Sequence, residues 1–148
     1  MKKILIIIIL FITGCGYQPI YLNKDLKNFE FSKITTEGDK IVNKKIINII
    51  SIKENSQNKS LSELFIKSSY NTIISSKNSK GQAESYKSKV VVTLQIKDKE
   101  KIKSRTFSEE FSYASKKNNF DLVEYQNDVR NNLTNQVIKN IILYLNVE

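Results

Sequence analysis

The stretch that decides the fold is YKSKVVVTLQIKD, residues 86–98. Apolar and polar residues alternate along it, which is typical of a β-strand with one buried face. The face expected to be buried carries Tyr86, Val90, Val92, Leu94 and Ile96. The opposite face carries Lys87, Lys89, Val91, Thr93, Gln95 and Lys97. We therefore expect a sheet that is covered on one side and solvated on the other.

Strands are also predicted on both sides of this segment. Residues 64–76 alternate less regularly, and residues 102–114 form a further strand candidate. Polar turns over residues 77–81 and 98–101 join them to the central strand. The three segments are therefore expected to form an antiparallel meander.

Aromatic residues Phe107, Phe111 and Tyr113 are in phase along the last of these strands. They could line a groove for acyl chains. We favour a place in the core under the helices, because large apolar side chains are usually buried.

Helical periodicity marks two other segments. Residues 40–53 follow Asp39, which we expect to cap the helix N-terminus. The predicted stripe of this helix is Val42, Ile46, Ile49, Ile50 and Lys53. A long amphipathic helix is predicted from residue 121 onward, with a stripe of Leu122, Tyr125, Val129, Leu133, Val137, Ile141 and Leu145. Its opposite side carries Asp128, Arg130, Asn131, Asn135 and Lys139.

A short strand is predicted at residues 29–34, with Phe29 and Phe31 on one face, and Gly38 and Asp39 follow it before the helix. The order is therefore β-α-β-β-β-α. Two helices with one apolar stripe each need one sheet face to cover, so we expect an α+β two-layer sandwich with both helices on one face of a four-stranded mixed sheet. The first two strands, if they pair, are parallel and joined by a right-handed crossover. Residues 29–148 are interpreted as one domain.

The composition argues against several kinds of chemistry. The 148 residues include one cysteine and no histidine, so we expect neither an intramolecular disulfide nor a zinc site. The acidic neighbours Glu109 and Glu110 point to opposite faces of a strand and do not converge. We therefore expect no enzyme activity, no catalytic residue, no metal and no cofactor. The formal net charge of +9 favours polyanionic partners, although part of the lysine excess reflects compositional bias.

The N-terminus has the pattern of a lipoprotein signal. Two lysines precede an apolar run at residues 4–12, which is too short to cross a bilayer as a helix because that needs about 20 residues. The run ends in ITGC, residues 12–15, which has the aliphatic, small, small, cysteine order of a lipobox. We expect residues 1–14 to be removed and the Cys15 thiol to carry a diacylglyceryl group. An ordinary cleaved signal with a chance cysteine is the alternative.

The residues after the cysteine bear on the cellular location of the protein. Residues 15–28 are interpreted as a lipidated tether. Residue 16 is glycine rather than the aspartate of the familiar inner-membrane retention signal. We therefore expect the chain to be lipid-anchored in the cell outer membrane, on the periplasmic side.

Four local features resemble the LptE family, the alphaproteobacterial lipopolysaccharide-assembly lipoproteins. The lipidated start is CGYQPIY, residues 15–21, and a polar turn leads into the central strand as GQAESY, residues 81–86. The last strand ends with FSY, residues 111–113, followed by NNF, residues 118–120. The final helix runs from DVRNNL, residues 128–133, to LYL, residues 143–145.

The resemblance implies two helices packed on a four-stranded sheet and a non-enzymatic role. Such lipoproteins sit inside the LptD-type outer-membrane β-barrel, where they act as a plug, assist barrel assembly and bind lipopolysaccharide on its way to the outer leaflet. The implied partners of this chain are therefore the barrel, lipopolysaccharide and, through the lipid, the membrane.

Two other functions remain open from the sequence. The chain could be a free periplasm-facing lipoprotein that binds a small ligand or peptidoglycan. Charge alone would also allow nucleic-acid binding, but export and the lack of an aromatic-basic motif argue against a nucleic-acid partner.

Cations on the predicted hairpin are the candidate lipopolysaccharide-binding residues. Lys87, Lys89 and Lys97 lie on the polar face of the third predicted strand, and Lys101, Lys103 and Arg105 lie at the start of the fourth. Arginine binds phosphate bidentately and lysine as a point charge, so these residues could meet lipid A phosphates. The alternative, which we favour, is a solvated strand that resists aggregation.

Overall fold

The computed structural model of the chain describes residues 29–147. Within that range the strands are β1 (Glu30–Phe31), β2 (Lys33–Gly38), β3 (Lys53–Glu54), β4 (Glu63–Lys77), β5 (Ala83–Asp98) and β6 (Lys101–Ala114). The helices are α1 (Lys40–Ile50) and α2 (Asn119–Val147).

The main sheet has four strands in the order β2-β4-β5-β6. β2 runs parallel to β4, and β4, β5 and β6 form the predicted antiparallel meander. Both helices pack on one face of this sheet, α1 against β2 and β4 and α2 against β5 and β6. The α+β two-layer sandwich is confirmed. The predicted parallel pairing is confirmed as well, between β2 and β4.

The alternation along β5 sets the core. Val90, Val92 and Leu94 are buried on the helix-covered face, where they meet Leu64 and Ile66 of β4. Lysines, threonine and glutamine alternate with them on the outer face of the sheet. Burial of one face of each strand therefore follows the predicted period of two residues.

The prediction of one continuous strand at residues 29–34 is wrong. The chain bends at Ser32, whose N–H donates to the Ser62 carbonyl oxygen over 2.9 Å. Before the bend, β1 pairs with β3 in a separate two-stranded parallel sheet. After it, β2 continues to Gly38, four residues beyond the predicted end of the strand at residue 34. β2 is largely exposed, so its sequence does not alternate between apolar and polar residues.

Helix α1 begins as predicted and ends early. The Asp39 Oδ1 atom accepts hydrogen bonds of 2.9 Å from the N–H groups of Ile41 and Val42, which confirms the N-cap. At the other end Ser51 adopts a left-handed conformation with φ of 57° and stops the helix. Lys53 was predicted in the helical stripe and lies in β3 instead, while Ile49 of that stripe is exposed.

Removal of the Asp39 cap gives the first testable prediction. Asp39→Ala is expected to lower the free energy of unfolding by about 1 kcal/mol, because two N–H groups of the first turn lose their acceptor. Asp39→Asn keeps an acceptor oxygen and is expected to retain most of that stability. Urea unfolding of both variants checks this, and an equal loss in the two would contradict a capping role.

Helix α2 carries the predicted stripe into the core. Val129, Leu133, Val137, Ile141 and Leu145 are all buried. The helix starts at Asn119, two residues earlier than predicted, because Asn118 accepts hydrogen bonds from the N–H groups of Phe120 and Leu122. Arg130, predicted on the polar side, lies 5.4 Å from the centre of the Tyr70 ring. No helix in residues 29–147 is long and apolar enough to span a membrane.

A buried hydroxyl cluster ties the sheet to α2. The fully buried Ser88 Oγ lies 2.7 Å from Thr72 Oγ1, 2.9 Å from the Tyr113 hydroxyl and 3.2 Å from the Tyr70 hydroxyl. Tyr70 also donates to the backbone carbonyl of Gln126 on α2. These polar groups satisfy one another, so their burial between apolar layers carries little penalty.

Candidate functional site

The six candidate cations lie on both faces of the β5–β6 hairpin. The register places Arg105 opposite Leu94 and Lys103 opposite Ile96, and directly opposed residues share a face of the sheet. Lys101, Lys103 and Arg105 therefore lie on the helix-covered side, at the end near the hairpin turn. Lys87, Lys89 and Lys97 lie on the outer face. The structure thus divides the candidates into two groups of three rather than bringing them into one site.

The outer-face lysines have acidic partners. Lys87 Nζ lies 3.1 Å from Glu110 Oε1, and Lys89 Nζ lies 3.8 Å from Glu110 Oε2. Lys97 Nζ lies 3.9 Å from Glu63 Oε2. The hydrogen bond from Lys87, together with its charge, lowers the pKa of Glu110 from its ordinary value, with a smaller effect from Lys89. These exposed pairs add little stability, but they reduce the positive charge that this face offers to a phosphate.

Arg105 has a packing role of its own. Its guanidinium carbon lies 5.1 Å from the centre of the Tyr144 ring and 5.9 Å from that of Phe107. Tyr144 belongs to the last turn of α2, where the helix dipole favours a positive charge. Arg105 therefore supports the junction between α2 and β6 whether or not it meets a ligand.

One of the three aromatic residues of β6 differs from the other two in burial. Phe107 and Tyr113 are buried, as we favoured. Phe111 keeps 48% of its surface exposed, so its predicted place in the core is wrong. It lies on β6, the edge strand of the sheet, which α2 covers only in part. Its ring stacks on Tyr113 at 6.2 Å, and Tyr113 meets Tyr125 of α2 edge-on at 5.3 Å.

Phe111 opens into a groove of about 400 Å³ between β6 and α2. Its lining comprises Glu110, Phe111, Tyr125, Asp128, Val129, Asn132, Leu133, Asn135, Gln136 and Lys139. Sequence reasoning treated the amides of α2 as a solvated face and did not find this groove. The available signal was a run of asparagine and glutamine on one side of a helix that covers an aromatic edge strand.

The acidic pair on β6 is divided as predicted. Glu109 accepts a hydrogen bond from Asn140 of α2 over 3.0 Å, whereas Glu110 bonds to the lysines of the outer face. No group of three or more potential metal ligands occurs in residues 29–147. Cys15, the predicted signal at residues 1–14 and the predicted tether at residues 15–28 lie outside the described residues.

Comparisons with known proteins find similarity at the level of the fold. No protein-family model matches the chain, and no curated protein matches its sequence. The crystal structure of rare lipoprotein B from Shewanella oneidensis superposes with a TM-score of 0.61 at 9% identity, covering 78% of this chain and 94% of that one. The solution structure of an uncharacterized lipoprotein B from Nitrosomonas europaea gives 0.53 at 10% identity, with coverages of 84% and 88%. The chain therefore has the α+β fold that is found in rare lipoprotein B.

Proposed function

We propose that the protein is an outer-membrane lipoprotein that plugs and helps assemble an LptD-type β-barrel and binds lipopolysaccharide during its insertion into the outer leaflet. One observation carries the proposal. The domain shares its fold with rare lipoprotein B over nearly all of that chain. Fold alone does not give function, so the lipobox and the surface of the domain are the further support.

The dimensions of the domain suit a plug. α2 has 29 residues and spans about 44 Å, and β5 has 16 residues and spans about 53 Å. α2 follows the hairpin lengthwise, since Tyr125 near its start meets Tyr113 and Tyr144 near its end meets Phe107, both on β6. A two-layer rod of this length would extend through the wall height of a large barrel.

The outer face of the sheet suits a polar lumen. β6 presents the hydroxyl side chains Ser104, Thr106, Ser108 and Ser112 there. Thr106 and Thr93 of β5 hydrogen-bond over 2.9 Å on the same face. The interior of large outer-membrane barrels is polar, so an uncovered face of hydroxyls can exchange water for lumen side chains without burying unpaired charge.

The role we propose is binding rather than catalysis. The lipopolysaccharide contacts we propose lie at the turn end of the β5–β6 hairpin, where Lys101, Lys103 and Arg105 share one side. Lipid A phosphates are dianionic or nearly so, and several cations on one side of a hairpin favour their approach.

Copurification tests the plug. The lipidated full chain, tagged at its C-terminus and extracted in mild detergent, should recover a large heat-modifiable barrel in one-to-one ratio. A Thr106→Arg/Ser108→Arg variant places bulk and charge on the outer face at exposed positions and should reduce that recovery. Recovery of the wild-type chain alone would instead indicate a free lipoprotein.

Charge reversal tests the lipopolysaccharide contact. Lys103→Glu/Arg105→Glu should weaken binding of purified lipopolysaccharide by about tenfold or more, because attraction to phosphate becomes repulsion. Lys40→Glu/Lys44→Glu changes the net charge equally on the exposed side of α1 and should have little effect. Surface plasmon resonance at two salt concentrations measures both. Unchanged binding in the hairpin variant would exclude these residues from the contact.

A further inference from the structure

We propose that the groove between β6 and α2 is a binding site for a phosphate-free saccharide. The plug proposal assigns nothing to this groove, and the two stand on different residues. The volume of about 400 Å³ falls within the range of pockets for small ligands, about 300–1,000 Å³.

The first argument is the hydrogen-bonding state of the amides along α2. Asn127, Asn131, Asn140 and Asn146 all have hydrogen-bond partners within the protein. In the described part of the chain, the exposed side chains of Asn132, Asn135 and Gln136 bond to no other protein group, and all three line the groove. Each amide offers two N–H donors and a carbonyl acceptor, the combination that matches sugar hydroxyl and acetamido groups.

The second argument is the apolar floor beneath these amides. Phe111, which is nearly half exposed, lines the groove together with Tyr125. Val129 and Leu133 close the floor from the helix side. Stacking on Tyr113 fixes the Phe111 ring, so its open face needs no reordering to receive a flat apolar surface. The C–H face of a pyranose ring is such a surface.

The third argument is the sign of the charges. Glu110 and Asp128 line the groove with a single cation, Lys139. The Glu110 carboxylate pairs with Lys87 and Lys89 on the outer face. The charges left to the groove are therefore those of Asp128 and Lys139, which balance; this distinguishes the site from the cations at the turn end of the hairpin. An acyl chain would leave the amides and the Asp128 carboxylate without hydrogen bonds once they are desolvated. A neutral or amino saccharide satisfies both the polar wall and the aromatic floor.

Saturation-transfer NMR and calorimetry test the site on the mature chain with Cys15→Ser. The probes are an N-acetylglucosamine trisaccharide and a dephosphorylated, deacylated core oligosaccharide of lipopolysaccharide. We expect binding of at least one, and the better binder identifies cell-wall or lipopolysaccharide sugar as the source. Asn132→Ala/Asn135→Ala should weaken binding about tenfold, because two hydrogen bonds are lost. Asn127→Ala/Asn131→Ala, the same change on another side of the helix, should leave it within about twofold.

Several outcomes would overturn the proposal. These are no saturation transfer from either probe at millimolar concentration, or an equal loss of affinity in both asparagine pairs. Binding of an extended peptide along the open edge of β6, with no saccharide binding, would assign the groove to strand addition instead. None of these results depends on the barrel, so a failure here is distinguishable from a failure of the plug proposal.

Discussion

Gly38→Ala is expected to lower the free energy of unfolding by more than about 3 kcal/mol and to leave the domain largely unfolded at 37 °C. Gly38 has a φ of +92°, a conformation that side chains with a Cβ rarely adopt. A Cβ at this position would overlap the backbone carbonyl oxygen of Ser68 on β4. A backbone oxygen cannot rotate away, so the two strands would have to separate.

The place of Gly38 in the fold raises the cost. It is the last residue of β2 and pairs with Ser68. The Ser68 carbonyl accepts from the Asp39 N–H over 3.2 Å, and the Ser68 hydroxyl donates to the Asp39 carbonyl over 3.1 Å. Moving β4 away would therefore disturb the residue that caps α1. Strand pairing and helix initiation are expected to fail together.

Gly81→Ala is the matched control. Gly81 also has positive φ, at +78°, but a Cβ there would have no atom within 4 Å. Its cost is the conformational term alone, about 1–2 kcal/mol. Urea unfolding of both variants in the chain with Cys15→Ser separates the two causes. Equal losses would show that the contact with Ser68 contributes nothing.

The long elements were predictable because their burial is one-sided. β5 alternates along most of its length, and α2 repeats its apolar positions over six turns, so each pattern has enough residues to exclude other periods. The short elements were not. β1 has two residues, and its partner β3 lies more than twenty positions further along the chain. Such pairing depends on tertiary contacts that no local pattern records.

The division of the candidate cations was in principle readable from the sequence. Phe107 and Tyr113 were placed in the core at odd-numbered positions, and Lys101, Lys103 and Arg105 share that parity. The same alternation therefore put these cations on the helix-covered side. The groove was not readable, because it depends on how much of the edge strand β6 is covered by α2. That cover is set by packing between the layers and leaves Phe111 only partly buried.

Cys15→Ala is expected to abolish membrane anchoring completely. Without the thiol no diacylglyceryl group can be attached. Each buried methylene of an acyl chain contributes about 0.8 kcal/mol to membrane binding, so two or three chains anchor the protein stably. Without acyl chains, we expect the protein to be soluble or unprocessed. Carbonate extraction of membranes with immunoblotting measures the difference. Globomycin treatment should make the wild-type chain accumulate as a larger precursor. If no larger precursor appeared, the lipoprotein assignment would be contradicted.

Gly16→Asp tests which membrane holds the protein, independently of whether the protein is lipidated. The thiol is untouched, so the chain should still be acylated and resist carbonate. An aspartate after the lipidated cysteine should hold the protein in the inner membrane, away from a barrel in the outer one. Sucrose-gradient separation of the membranes should show the shift, and copurification of the barrel should fall with it. If the variant kept its barrel while residing in the inner membrane, the partner would not be an outer-membrane protein, and the plug proposal would fail although the lipid anchor stood.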